Sequence, residues 1–417
     1  MTDRATNSER IKAGLAKRYR AEKRFKVYGI SAVALALTFL AVMLVAIGIR
    51  GTGAFQQTHM QLAVTLDAER ISENDWQGMV KAALRDAFPD VTSRRDKKKL
   101  YKLVSSGAGF DVQDLYRADP ALAGQTITVW LTASDDVDML VKGSIDRTKA
   151  EEDRRVTDQE LVWIDDLQAS GALQLQFNTR FFTGGDSREP EMAGILAALM
   201  GSLWSLSVCF ALSFPLGIMT AVYLEEFAAK NRWTDLIEVN INNLAAVPSI
   251  VFGLLGLAMF LNVMSMPRSA PLVGGMVLAL MTLPTIIIAA RAALRAVPPS
   301  IREAALGIGA SRTQTVIHHV LPLAMPGILT GTIIGMAQAL GETAPLLMIG
   351  MVAFIVDLPT SALDPSTALP VQIFLWADAP ERAFSERTAA AIIVLLGFLI
   401  TMNLVAVILR KRFERRW

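Results

Sequence analysis

The chain has 417 residues, 52% of them hydrophobic, with a mean hydropathy of +0.38: too apolar for one soluble core and too long for one domain. Lys and Arg number 41 against 39 Asp and Glu, so no charge excess points to nucleic acid, and what matters is where the charges fall along the chain. A single cysteine, Cys209, sits in an apolar run and excludes a disulfide framework or a cysteine metal site, and His59, His318 and His319 form no ligand pattern.

Residues 1–26 are a tail with nine Lys/Arg, and an apolar run of roughly 27–49 follows. The run is longer than a signal-peptide core, so it reads as an uncleaved anchor, with the basic tail in the cytoplasm. Residues 50–192 are different material, with 24 acidic against 17 basic residues over 51–192 and no spanning run. Thr157 three before Glu160 is a capping-box signature, Ser72 before Asp75 a weaker one, and "TITVWL" and "LQLQF" read as strands. A small extracytoplasmic α/β domain is expected there, with Arg94 to Lys99 as a solvated charged face.

Five further stretches, roughly 193–223, 236–264, 272–294, 323–350 and 389–409, are each apolar and long enough to cross a bilayer core as helix. The expected architecture is therefore an all-α polytopic membrane protein with six transmembrane helices and the small domain between helices 1 and 2. Alternation from the basic tail puts the C-terminal "RKRFERRW" and the island Val297 to Pro322 inside. The segment 351–388 falls outside, and it is richer in Asp and Glu than in Arg. Both termini are then cytoplasmic.

The island "VPPSIREAALGIGASRTQTVIHHVLP" carries two helix-start signals. Pro298 and Pro299 stop the preceding helix, and Ser300 three before Glu303 predicts a cap and a helix from Ile301. Gly307 and Gly309 end it, Ser311 three before Gln314 starts a second helix, and Pro322 closes that one. Such a rigid pair suits docking into a partner's groove and passing motion to the flanking spans. No G-x-x-x-x-G-K-[ST] loop and no G-x-S-x-G elbow occurs, so the chain reads as a conduit with no cofactor, powered from elsewhere.

The stretch "EAALGIGASRTQTVIHHVLP" resembles the EAA loop of ABC importer permeases, matching at Glu303, Ala304, Ala305, Gly309, Leu321 and Pro322. His319 departs, standing where the family usually has an aliphatic residue. With "AAVPSIVFGLLGL" (245–257), "LPTIIIAARAALRAVPPSIREAA" (283–305) and "GETAPLL" (341–347), residues 180–417 resemble the PstA-type permeases of phosphate-specific ABC importers. The resemblance implies a type I ABC importer permease core over 193–417 and ATPase docking by Glu303, Ala304, Ala305 and Gly309. It further implies a PstC-type permease as heterodimer partner, PstB-type ATPase subunits that do the hydrolysis, a periplasmic phosphate-binding protein, phosphate as substrate, and the bacterial inner membrane. Residues 1–180 look like an extension found in a subset of these permeases.

In the fifth span Gly327, Gly331 and Gly335 recur every four residues, a stripe that lets another helix approach. Glu342 lies seven and eleven residues beyond Gly335 and Gly331, which returns it to that face of a continuous helix. Pro345 cannot bond the Gly341 carbonyl, so the helix should kink or unwind beside Glu342. A carboxylate at membrane depth costs at least about 2.5 kcal/mol, so it needs a partner or a task. Since phosphate is an anion, Glu342 fits the path by holding a cation. Some relatives carry arginine four residues earlier, where this chain has Gln338, leaving a partner subunit or Arg291 to supply it; Arg291 can instead snorkel to the inner boundary. Three other readings stay open: a proton-coupled secondary transporter using Glu342, an ABC permease for another oxyanion, or a sensor anchored by its spans.

Overall fold

The computed structural model describes residues 7–352 and 354–413 in two bodies, residues 1–50 and 51–417. The first body is one helix, which runs Asn7–Gly51 as a whole. Tail and apolar run are thus continuous helix, about 68 Å at 1.5 Å per residue; the first six tail residues lie outside the described residues, as do the last four of "RKRFERRW".

The second body starts with a three-stranded antiparallel sheet, β1 (Gln56–Thr65) at the centre, β2 (Thr126–Thr132) and β3 (Leu173–Phe177) at its edges. Thr132 pairs with His59, and Leu173 with Met60. Alternate residues of β1, Met60, Leu62 and Val64, are almost fully buried. They pack with Met79, Val80, Ala83 and Leu84 of helix Trp76–Ala87, with Val112 of helix Ala108–Ala118, and with Trp163, Ile164 and Leu167 of helix Asp158–Ala169. The expected small α/β domain thus takes an antiparallel form. The Thr157–Glu160 capping box is formed. Ser72 caps nothing downstream: it ends a short helix and donates to the Glu69 carbonyl, while Asp75 caps Trp76–Ala87 by accepting from Gly78 N.

Among the described residues five helices are long and apolar enough to cross a membrane, and a bent pair makes a sixth if counted as one span. The expected straight span 236–264 is that pair: helix Arg232–Ala245 turns by 101° into the helical stretch from Ser249 to Val263. Pro248 is the cause, since it donates no hydrogen bond and holds the preceding residue out of helical geometry. The fourth span, Pro271–Arg295, is the hub, with Val273, Val277, Leu278, Ile286, Ile287, Ala290 and Leu294 buried. It packs against the second span, Leu196–Val222, and the fifth, Leu321–Gly341. The segment 351–388, expected as a loop, contains helix Leu369–Ala377, whose Leu369, Val371 and Trp376 are buried; nine residues suffice because it packs inside protein.

The sixth span, Phe384–Phe413, ties the sheet domain to the bundle at its first turn. Arg387, 3% exposed, donates to Gln57 Oε1 at 2.6 Å and to the Ala54 carbonyl at 3.2 Å. Lys142 is paired with Asp138 and, at 3.5 Å, with Glu386.

Candidate functional site

The polar island forms two helices, but the first begins differently from expectation. It runs Pro299–Gly307 with no side-chain cap, so Ser300 does not cap it. Proline at the first helical position needs no donor and already has helical φ, which makes the serine cap unnecessary. Glu303 is thereby left exposed and without a side-chain partner among the described residues. The helix closes by a left-handed turn: Gly309 has φ +91°, Ala310 N donates to the Ala305 carbonyl at 3.1 Å, and Gly309 N to that of Leu306 at 3.0 Å.

The second helix opens with the expected box, Gln314 N to Ser311 Oγ at 3.2 Å and Ser311 N to Gln314 Oε1 at 2.9 Å. Pro322 does not close it. A wide π-turn over Val316–Val320 opens the backbone where the Pro322 ring would meet the His318 carbonyl, and the chain continues as helix into the fifth span. The island's second helix and the fifth span are one rod, Arg312–Gly341.

Ala305, Val316 and Val320 turn inward, 4%, 2% and 0% exposed, whereas Leu306 and Ile308 at the tip are 50% and 82% exposed. Those two apolar tip residues were not singled out from the sequence, although an Ile between two glycines of a polar segment is a readable signal of an absent partner. His318 and His319 are exposed.

Two glutamates at the end of the second span, Glu225 and Glu226, organise the base of the island and were not singled out from the sequence. Arg302, on the first island helix, forks onto Glu226 with Nη2 2.7 Å and Nε 3.2 Å from Oε1. Its remaining donors reach the carbonyls of Val297 at 2.7 Å and Leu294 at 2.9 Å, acceptors the end of the fourth span leaves open. Arg291 donates to Glu225 at 2.6 Å and is also paired with Glu238; Arg295 donates to Glu225 at 2.9 Å. Arg291, 8% exposed, is therefore held in an ion-pair cluster, and among the described residues no hydrogen bond or ion pair joins it to Glu342.

At its other end the fifth span stops at Gly341. Glu342 is extended (φ −79°, ψ 121°), and a short helix, Ala344–Met348, follows. The backbone breaks beside Glu342, so helical spacing no longer fixes where its side chain points. Glu342 is half-buried, with no side-chain hydrogen bond or ion pair among the described residues. Gln338, one turn before it, is exposed, and so is Ile334. The short helix is backed by the third span: a Cβ on Gly253 would lie 2.7 Å from Pro345 Cα and 2.9 Å from Met348 Cβ. Two sequence-distant motifs, around Gly253 and Pro345, thus meet at the break.

The glycine stripe divides. A Cβ on Gly327 would come within 2.7 Å of Ala293 Cβ, and one on Gly331 would overlap Ala289 Cβ, so both admit the fourth span. Gly335 has room, its nearest neighbour lying 3.7 Å from the same construction.

Five to six apolar helices among the described residues, one of them continuous with the island's second helix and broken at a glutamate, define an integral-membrane permease of the ABC importer class. Residues 213–417 match the family described as "Binding-protein-dependent transport system inner membrane component", and residues 12–151 match a domain of unknown function, DUF3333. The phosphate transport system permease protein PstA 1 of Mycobacterium tuberculosis is 34% identical over 223 residues, 54% of this chain and 72% of that protein. The PstA of Haemophilus influenzae is 28% identical over 223 residues, 54% of this chain and 78% of that one. Among solved structures the inward-facing MetNI methionine ABC transporter aligns with 53% of this chain and 95% of its own at 16% identity and a TM-score of 0.43, too distant to carry weight. The chain belongs to the PstA-type permeases of the binding-protein-dependent transport family, subunits whose ATP hydrolysis is done by a separate chain.

Proposed function

We propose that this chain forms half of the translocation path of an ATP-driven phosphate importer in a bacterial inner membrane. A PstC-type permease supplies the other half, PstB-type subunits the ATPase, and a periplasmic binding protein delivers phosphate. In this reading the basic tail, the island and the C-terminus are cytoplasmic and the sheet domain lies outside, as the charge distribution favours.

The observation that carries the coupling is the continuous rod Arg312–Gly341. A partner that moves the island tip, with Glu303, Leu306 and Ile308 exposed on it, moves a helix ending at Glu342 directly. Arg302 on Glu226 makes the second span follow. ATPase closure on one side would then reach the broken backbone around Gly341 to Pro345 without passing through a soft loop.

At that break, Glu342 and Gln338 are the groups we assign to the path. Unpaired Glu342 would position a cation contributed by the paired permease, and that cation would attract phosphate. Arg291 is committed to Glu225 and Glu238, which leaves the partner as the source.

The test is phosphate-stimulated ATP hydrolysis by the reconstituted complex with its binding protein, comparing the native chain with Glu303→Lys. Stimulation that the substitution abolishes, with the helical bundle still assembled, supports the reading. Phosphate uptake driven by a proton gradient without any ATPase subunit would replace it with the proton-coupled alternative.

A further inference from the structure

The charge of the first helix is one-sided. From Lys17 to Lys26 stand six Lys or Arg and one acid, Glu22, all exposed on continuous helix. At 100° per residue, Lys17, Arg20, Lys23 and Arg24 fall within about 120° of arc, while Glu22 lies on the opposite side. Arg18 and Lys26 stand four residues before and four after Glu22, the spacing at which opposite charges on a helix meet. Lys17, Lys23 and Arg24 have no acid three or four residues away and, among the described residues, no hydrogen bond or ion pair. One face is compensated, and the other is a stripe of like charge.

The orientation of a basic tail depends on how many Lys and Arg flank the span and is indifferent to the side of the helix they occupy. Clustering on one side, where like charges three and four residues apart repel, therefore asks for an anion. The stripe lines an open groove of about 640 Å³ that runs on to Val27 and Tyr28, at the edge of the apolar run. Those two residues are 50% and 68% exposed. Cations above, a phenol at the boundary and apolar surface below match a phospholipid, with its anionic headgroup, glycerol region and chains. A free anion such as inorganic phosphate would have no use for the two lower residues.

Height agrees with this. At 1.5 Å per residue, Lys23 and Arg24 stand about 5 Å beyond the apolar edge, inside a headgroup layer of about 5–8 Å. Arg20 and Lys17 follow at about 10 and 15 Å, within roughly a Debye length, about 8–10 Å, of that layer. These distances need only that the first helix enter a bilayer, and they hold whether or not the chain transports phosphate.

We propose that the face formed by Lys17, Arg20, Lys23 and Arg24 binds the headgroup of an anionic phospholipid, its phosphate against Lys23 and Arg24 and its chains along the helix past Val27 and Tyr28. Phosphatidylglycerol is the probe.

The full chain is placed in phosphatidylcholine vesicles doped with photoactivatable phosphatidylglycerol, or with photoactivatable phosphatidylcholine in a second set, and after crosslinking the label over residues 17–30 is counted. In low salt the glycerol lipid should label this segment at least about fivefold more than the choline lipid, and about 1 M NaCl should bring the ratio toward one. Lys23→Gln with Arg24→Gln should lower the ratio about threefold or more. Arg18→Gln with Lys26→Gln, an equal loss of charge from the compensated face, should lower it by less than about twofold. All four residues are exposed and glutamine is a good helix former, so both variants keep the helix. Equal labelling by the two lipids overturns the proposal, as does an equal or greater loss from the Arg18 and Lys26 pair, which would leave only the number of charges. A ratio abolished by about 20 mM inorganic phosphate at constant ionic strength overturns it in favour of a free-anion site.

Discussion

Arg302 and Glu226 join the first island helix to the end of the second span by a forked ion pair in which the side chains are only 24% and 10% exposed. Removing one partner of a shielded pair leaves the other charged and desolvated. Arg302→Ala should therefore cost roughly 2–3 kcal/mol of bundle stability and reduce ATPase stimulation in the assembled complex. Arg302→Lys keeps the charge but cannot fork onto Glu226 while also reaching two carbonyls, so it should recover only part of the loss. Thermal unfolding of both variants beside the native chain checks this; an alanine variant that melts like the native chain would sink it.

Leu306 and Ile308 stand exposed at the island tip, 50% and 82%. Leu306→Ser and Ile308→Ser should change stability by no more than about 0.5 kcal/mol. If the tip seats in an ATPase groove, each should weaken association by about 2 kcal/mol, roughly thirtyfold. Co-purification and titration of the ATPase subunit measure it, and undiminished affinity in both variants argues that docking lies elsewhere.

Gly331 and Gly335 look alike in sequence and differ in space. Alanine at Gly331 would drive its Cβ into Ala289, pushing the fourth and fifth spans apart at a cost of about 1–3 kcal/mol. Alanine at Gly335 meets nothing nearer than 3.7 Å and should be neutral or stabilising by up to about 1 kcal/mol, through lower backbone entropy in the unfolded chain. Denaturation of the two variants in the same lipid should give this order, and the reverse order refutes the packing described.

Burial pushes the Glu191 carboxyl up to about 7 from an ordinary value of 4.5. Between those values the unfolded chain gives up a proton that the native chain keeps, so stability falls as pH rises from about 4.5 to 7 and is flat beyond. The loss amounts to roughly 3 kcal/mol. Glu191→Gln should abolish this component and be the more stable chain above pH 7. Melting curves of the full chain at pH 5, 6, 7 and 8 read the slope directly, and parallel profiles for native and variant would contradict the assignment.

Much of the site was legible because its signals are local. The Ser311 and Thr157 capping boxes, the stop at Gly307 to Gly309, and the backbone break expected at Pro345 depend on residues within one turn of each other, and all are present. Expectations failed where a local signal met a competing one. Ser300 lost its cap to Pro299, which can begin a helix alone. Pro322 was absorbed by a π-turn, and Pro248 turned a hydrophobic stretch of spanning length through 101°. β1 went unnoticed although Met60, Leu62 and Val64 alternate, because the flanking polar residues gave no turn signal.

The sequence by itself determined that this is a polytopic membrane protein with a polar domain after its first apolar helix and a double-helix island, since apolar run length and capping chemistry need no distant contact. Only the tertiary structure decided which charges meet. Arg291 pairs with Glu225 and Glu238, 66 and 53 residues earlier in the chain, while Glu342 is left without a partner among the described residues, and Arg387 meets Gln57 across 330 residues. Coulomb attraction and close packing depend on separation in space, which sequence spacing beyond a helical turn does not encode.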